Sequence, residues 1–188
     1  MIALAFDALS DGKKLRDSVW EELCLAAGTR EHGWRTPVVA SIDSQGLPDA
    51  RTVVLRRVNL ARRTISFFTD KRSPKVAQLR EMPRTTIVFW CQKLSWQLRV
   101  AGKAMVVESG PEVDEVWQQV AQTAAAGDYL APQAPGSLMD GALAIAGEGS
   151  HQLAIVTVCV DAIDWLELSV EGHRRALIRE QDVEWLVP

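Results

Sequence analysis

The chain has 188 residues, 47% of them hydrophobic and 24% charged, with a net charge of −3 and a mean hydropathy of −0.02. That balance excludes a disordered chain, and the length suffices for one domain, residues 1–188, to bury a core without disulfides or a structural metal. A mildly acidic surface argues against general nucleic-acid binding and no segment approaches membrane-spanning length, so neither nucleic acid nor a membrane is an expected partner.

In chain order, residues 1–14 hold a brief apolar run that soon reaches Asp7 and Asp11, which does not read as a signal peptide. Cys24, Cys91 and Cys159 lie far apart in apolar contexts and read as small buried hydrophobes, so a reducing, cytoplasmic location is expected. Ser10 or Asp11 is placed to cap a helix in which Leu15, Val19, Leu23 and Ala26 or Ala27 share a face, with Gly28 as its stop. The period then changes to two. Residues 36–43, 49–59 and 64–70 read as strands of a meander joined by SQGLP and LARR turns. Ser73 at N-cap, Pro74 at N1 and Pro83 beyond the end predict a short helix.

Residues 85–90 and 94–108 supply two more strands, and in the second Trp96, Leu98 and Val100 face one way while Gln97 and Arg99 face the other. Ser109 and Glu112 have the S-x-x-E spacing of a capping box ahead of a helix with the apolar stripe Val113, Val116, Trp117, Val120 and Ala124. Residues 127–150 are rich in Gly, Ala and Pro and read as a long loop suited to a lid, a subunit-crossing arm or a mobile connection. Strand character resumes over 153–168, and RRALIR with VEWLV closes a hairpin. The expected architecture is mainly β with flanking helices, about six antiparallel strands closing into a small barrel.

Charge is distributed unevenly along this pattern. From Arg51 to Arg80 there are nine basic side chains against the single carboxylate of Asp70, whereas no Lys or Arg occurs from Ala104 to His173. Such a segment in an otherwise acidic chain suits a localised anion rather than a long polyanion. In T-D-K-R-S-P-K a strand gives way to a helix N-terminus, where the free N–H groups favour anions, yet Lys71, Arg72 and Lys75 crowd that end. A phosphate among them would take backbone N–H groups, the Ser73 hydroxyl and charge-assisted bonds. Solvated surface charges paired with carboxylates are the alternative. On a regular strand Arg51 and Arg57 share a face and Arg56 points to the other, so all three reach one phosphate only through a bulge. His32, His151 and His173 lack metal-ligand spacing, no nucleophile motif is present, and the seven tryptophans read mainly as packing residues.

The succession R-T-V-V-L-R, F-F-T, R-S-P-K and W-Q-L-R-V-A-G-K resembles the pyridoxamine 5'-phosphate oxidase family of FMN-binding split barrels, from about Val38 to Lys103 and more loosely beyond. The resemblance implies a six-stranded antiparallel split β-barrel forming a homodimer, with FMN in a cleft between subunits. It implies that Arg51, Thr52, Val53, Val54 and Arg56 line the flavin and its ribityl phosphate, followed by Phe68 and Thr69. It further implies that Arg72, Ser73 and Lys75 hold the phosphate, that Gln97 reaches the ring from the partner chain, and that Arg175 or Arg174 approaches the flavin. Gln133 matches a further flavin-contacting glutamine of the family.

The departures from that pattern concern the substrate. The family has Lys at the place of Arg56, and its Tyr and Arg substrate-phosphate clamp aligns with Val116 and Val120; its C-terminal R-L-H-x-R signature is replaced by H-R-R-A-L-I. Charge for FMN is present and charge for a pyridoxamine phosphate substrate is missing. The expectation is therefore a flavin-dependent oxidoreductase acting on a small molecule, related to the oxidase but without its clamp. The alternative is a non-catalytic flavin-binding or flavin-sensing protein on the same fold.

Overall fold

The computed structural model describes residues 11–138 and 150–188. Asp11 caps helix α1 (Gly12–Gly28), its carboxylate accepting the backbone N–H groups of Lys13 at 3.0 Å and Lys14 at 3.4 Å. Ser10, the other cap considered, lies outside the described residues, as do the apolar run before it and residues 139–149 of the long loop. Leu15, Val19, Leu23 and Ala26 form the expected buried stripe, joined by Trp20. Among the described residues no helix is long and apolar enough to cross a membrane.

Nine strands follow among the described residues, all paired antiparallel: β1 (Val38–Ile42), β2 (Pro48–Thr52), β3 (Leu55–Asn59), β4 (Thr64–Asp70), β5 (Arg84–Cys91), β6 (Trp96–Val107), β7 (Leu153–Glu167), β8 (Arg174–Arg179) and β9 (Asp182–Leu186). Helix α2 (Pro74–Glu81) links β4 to β5, and α3 (Pro111–Val120) with a 3-10 turn (Ala124–Tyr129) follows β6. The strand order is β2-β1-β5-β6-β7-β4-β3, with β8 on β7 and β9 on β8. The expectation of six strands closed into a barrel is thereby corrected: there are nine, and the sheet is not closed by hydrogen bonds.

The extra strands have two sources. The single strand expected over 49–59 breaks at Val53–Val54, because the N–H groups of Val53 and Leu55 go to the loop carbonyls of Pro37 and Arg35, each at 2.9 Å. The two halves then pair at opposite ends of the strand order, β2 on β1 and β3 on β4. Two residues separate those ends along the chain, so the sheet curls round on itself without the ladder that would seal it. The second source is the C-terminal hairpin of β8 and β9, which finds an edge because β7 is long. One edge of β7 pairs with β6, while the other pairs β4 along Leu153–Cys159 and β8 along Ile163–Glu167.

The core lies inside this curl. Alternation along β6 buries Trp96, Leu98, Val100 and Ala104, as the sequence pattern predicts. They pack with Ile65, Phe67, Phe89, Trp165 and the α1 stripe. A smaller cluster under α3 joins Val113 and Val116 to Tyr129, Leu153 and Ile155. Cys91 is buried, but Cys24 is exposed and Cys159 only half-buried, unlike the reading of all three as buried.

The capping box does not form. Gly110, at φ 98°, is the N-cap and Pro111 occupies N1, so the helix starts one residue later than the S-x-x-E spacing requires. Ser109 is then too early to cap, and Glu112 is free to face β3.

Gly102 sits where the β6–β7 register shifts. A Cβ there would meet the Cys159 carbonyl oxygen and approach Cγ1 of Val158 to 2.7 Å. Since backbone is the obstacle, Gly102→Ala should destabilise the protein by about 2 kcal/mol in urea unfolding; a change below ~0.5 kcal/mol would show that the two strands separate easily at this point.

Candidate functional site

Paired residues on neighbouring antiparallel strands share a face of the sheet. Arg51 is opposite Val39, which is opposite Ile87, which is opposite Val100, so Arg51 stands on the core side. There α2 covers it. Its guanidinium donates to Ser41 Oγ at 2.6 Å, the Val39 carbonyl at 3.4 Å and Gln78 Oε1 at 3.0 Å, and pairs with Asp49. Gln78, on α2, accepts from Ser41 Oγ at 2.6 Å and donates to Asp49 at 2.9 Å, which ties helix to hairpin around Arg51.

Lys75 lies beside this network. Its amine donates to Ser73 Oγ at 2.6 Å and Thr69 Oγ1 at 3.1 Å, and no carboxylate is within ion-pair distance of it among the described residues. Burial and then the nearby charge of Arg51 push the lysine below its ordinary range, against the opposing pull of Asp70 and Asp49. Ser73 is the N-cap of α2 as expected, yet its hydroxyl makes no capping bond and faces Lys75 instead. Most of the buried polar side chains (Ser41, Thr69, Asp70 and Ser73) gather at this end of the molecule. Together they present two cations, a serine hydroxyl and an uncapped helix N-terminus, with acceptors too few to neutralise Lys75.

The remaining residues singled out by sequence divide into three places. Thr52 is exposed, Val53 is buried in the core and Val54 is half-buried at the break between β2 and β3. Arg56 is the extra residue of a bulge between Leu55 and Arg57, so Arg56 and Arg57 both reach the Phe68 ring, at 5.8 and 5.6 Å from its centroid. Arg72 is outside the Lys75 cluster: it pairs with Asp70 at 2.6 Å and donates to the Ala131 and Pro132 carbonyls at 2.8 and 3.0 Å, pinning the start of the long loop.

Gln97 and Arg175 occupy the opposite face of the sheet. Gln97 is opposite both Trp90 and Leu166, and Leu166 is opposite Arg175. Arg175 pairs with Asp164 at 2.7 Å, and Arg99 pairs with the same carboxylate. Burial alone would raise Asp164, but the two arginines outweigh it and hold the carboxyl below its usual range. One chain therefore places Arg51 and Gln97 on different sides of the same wall.

Sequence reasoning missed Ser41, Asp49 and Gln78, which have no motif and meet only through the β1–β2 hairpin and α2. It also missed Tyr129, the only tyrosine of the chain. Its buried phenol is raised by burial, an effect partly offset by the nearby guanidinium of Arg56. Val116, at the place of the substrate clamp, is packed in the core under α3, and Val120 is partly buried against the same cluster. Gln133 makes no side-chain hydrogen bond among the described residues.

Comparison with known proteins gives this cluster its context. Residues 17–108 match the family model of the pyridoxamine 5'-phosphate oxidase FMN-binding domain. The resemblance carried by the four motifs is thereby shown, and FMN is the cofactor of the matched domain. Curated relatives named pyridoxine/pyridoxamine 5'-phosphate oxidase include one from Chromohalobacter salexigens, 34% identical over 94 residues, which are 48% of this chain and 42% of the relative. Another, from Trichormus variabilis, is 36% identical over 84 residues, 45% of this chain and 37% of the relative. The matches thus span less than half the length of these relatives.

Two solved structures have the same fold. One is a pyridoxamine 5'-phosphate oxidase-related, FMN binding protein from Nostoc punctiforme, with a TM-score of 0.72 at 22% identity, covering 92% of this chain and 96% of that one. The other is PhzG from Burkholderia lata, in complex with tetrahydrophenazine-1-carboxylic acid, with a TM-score of 0.77 at 16% identity, covering 100% and 99%. The family match includes Arg51, Lys75 and Gln97 but ends before Arg175. The donor set of Arg51, Ser73 and Lys75 fits the phosphate of the family's cofactor.

The lowered proton affinity of Lys75 has a stability consequence. Between its depressed folded pKa and the ordinary 10.5, the unfolded chain holds a proton that the folded chain has released, so stability gains there and is reduced below that window. Lys75→Met in the ligand-free protein should therefore change unfolding stability at pH 7 by less than ~1 kcal/mol despite losing two hydrogen bonds, with the balance shifting toward the unsubstituted protein as pH rises toward 10.5. A loss above ~2 kcal/mol at pH 7 would mean that Lys75 is a structural residue.

Proposed function

We propose that the chain binds FMN with its phosphate on Arg51, Ser73 and Lys75, and acts as an FMN-dependent oxidoreductase on a small molecule. The observation that carries this reading is the half-buried, unneutralised Lys75 beside Arg51, above a serine hydroxyl that leaves its helix uncapped. Thr52, Val53 and Val54 border the cofactor where the strand breaks and its backbone is clear of the ladder. Arg56, Phe68 and Thr69 flank it on the neighbouring strands, and Arg72 fixes the loop that follows. Bound FMN supplies hydride and electron transfer, which the side chains of this chain do not.

Gln97 and Arg175 belong to the site through a second copy of the chain. The sheet separates them from Arg51, so a homodimer that lays the outer face of β6 and β8 of one copy on the phosphate cluster of another unites the two sets. The partly exposed Trp90 beside Gln97 suits burial in such an interface. All of these residues act within one cofactor-binding unit. The packing of Val116 and Val120 into the α3 cluster supports a substrate other than pyridoxamine 5'-phosphate.

Riboflavin, which lacks the phosphate, separates the contributions. Lys75→Met, and Gln78→Leu through the loss of its hold on Arg51, should each weaken FMN binding by about 10- to 100-fold and leave riboflavin binding unchanged. Equal losses for both ligands would place the phosphate elsewhere. Turnover of pyridoxamine 5'-phosphate should be weak or absent, and robust turnover would contradict the reading of the clamp. Bound FMN that no reduced nicotinamide or metabolite reduces would instead favour a flavin-binding protein without turnover.

A further inference from the structure

The bulge in β3 also creates a second basic arrangement, in which Arg57 and Arg62 have no part in the proposed cofactor site. On a regular strand Arg56 and Arg57 would diverge; here both guanidinium groups reach the ring of Phe68, which stands on the opposite side of the sheet from Thr69 because successive residues of β4 alternate. Two adjacent cations directed to one side repel each other unless an anion lies between them. Next to them is a recess of about 540 Å3 whose lining includes Arg56, Arg57, Arg62, Ser66, Thr157 and Glu112. That volume lies within the range of small-molecule sites, roughly 300–1,000 Å3.

The recess is strongly unbalanced in charge. Three guanidinium groups face one carboxylate, that of Glu112, which approaches Arg57 only to 3.4 Å. The Arg62 side chain has no partner among the described residues, although its backbone N–H is fixed to Asn59 at 2.9 Å, which sets the turn that presents it. The floor is polar: Ser66 and Thr157 hydroxyls meet at 2.9 Å on adjacent strands. Behind Ala27, burial and then the charges of Arg56 and Arg30 push down the guanidinium of Arg35, a sign of the positive field on this side. Among the described residues, Glu112 is the carboxylate that lines the recess.

We propose that the recess is a second anion site, separate from the Lys75 cluster, in which Arg57 and Arg62 hold a small oxyanion of at least two negative charges against the Ser66–Thr157 floor. The chemistry fits a diphosphate or a polycarboxylate: planar guanidinium groups bind either through paired N–H bonds, and whichever of the two hydroxyls does not donate to the other supplies a further donor. Glu112 acts as the internal competitor. It occupies Arg57 loosely, and the ligand displaces it.

The test uses the full chain with pyrophosphate and citrate as probes at constant ionic strength, read by calorimetry and thermal shift. The unsubstituted protein should bind one or both; the double variant R57A/R62A should lose at least about tenfold in affinity while its FMN binding is unchanged, and E112Q should bind several-fold more tightly. R57A/R62A removes only half-exposed and exposed side chains, and the gain expected of E112Q does not depend on a loss of binding. Absence of binding by the unsubstituted protein overturns the proposal. So does binding that survives R57A/R62A, or binding that Lys75→Met abolishes, since the anion would then sit on the cofactor cluster.

Discussion

The two-residue crossing at Val53–Val54 governs the rest of the molecule. Because β2 and β3 stand at opposite ends of the strand order but are joined by so short a connection, the sheet has to curl until its ends approach. The donors that would otherwise extend one long strand go to the Pro37 and Arg35 carbonyls, and this holds the crossing in place. The break also divides the basic segment. Arg51 is left on the core side, under α2, while Arg56 and Arg57 emerge beyond the break and, helped by the bulge, turn over Phe68. One run of arginines thus serves two sides of the sheet.

On the core side, charge is concentrated at a stability cost. Lys75 is partly desolvated beside Arg51, with hydroxyls rather than carboxylates as its hydrogen-bond partners, and the α2 N-cap hydroxyl faces the lysine instead of its own helix. Gln78 and Asp49 keep Arg51 in position, so the cluster is pre-organised before any ligand arrives. The register of β5, β6, β7 and β8 then determines what a single chain lacks. Gln97 and Arg175 lie across the sheet from Arg51, and a cofactor that touches both sets bridges two copies of the chain.

Much of this was legible in the sequence, and what was not has physical reasons. The α1 stripe, the Ser73–Pro74 helix start, the alternation of β6 and the C-terminal hairpin follow local periodicity and capping, and each appears where expected. The strand over 49–59 reads as continuous because nothing in T-V-V-L signals a break; tertiary hydrogen bonds to the Pro37 and Arg35 carbonyls of an earlier loop decide it. The S-x-x-E spacing was overridden by its immediate neighbours Gly110 and Pro111, which start α3 later. Arg51, Ser73 and Lys75 were found from their charge and from the family motifs. Ser41, Asp49 and Gln78 were not, since their positions coincide only after the hairpin and α2 have packed. Arg72 looked equivalent to Lys75 in sequence, but its Asp70 partner two residues earlier takes its guanidinium toward the loop.

We propose one cofactor site shared between the core-side cluster of one copy and the outer sheet face of another. A crystal structure of the full chain with FMN tests it most directly. The account predicts the phosphate within hydrogen-bonding distance of Arg51, Ser73 and Lys75 of one copy, with the ring against Gln97 of the second. A phosphate away from Lys75, or a ring enclosed by a single chain, would contradict it.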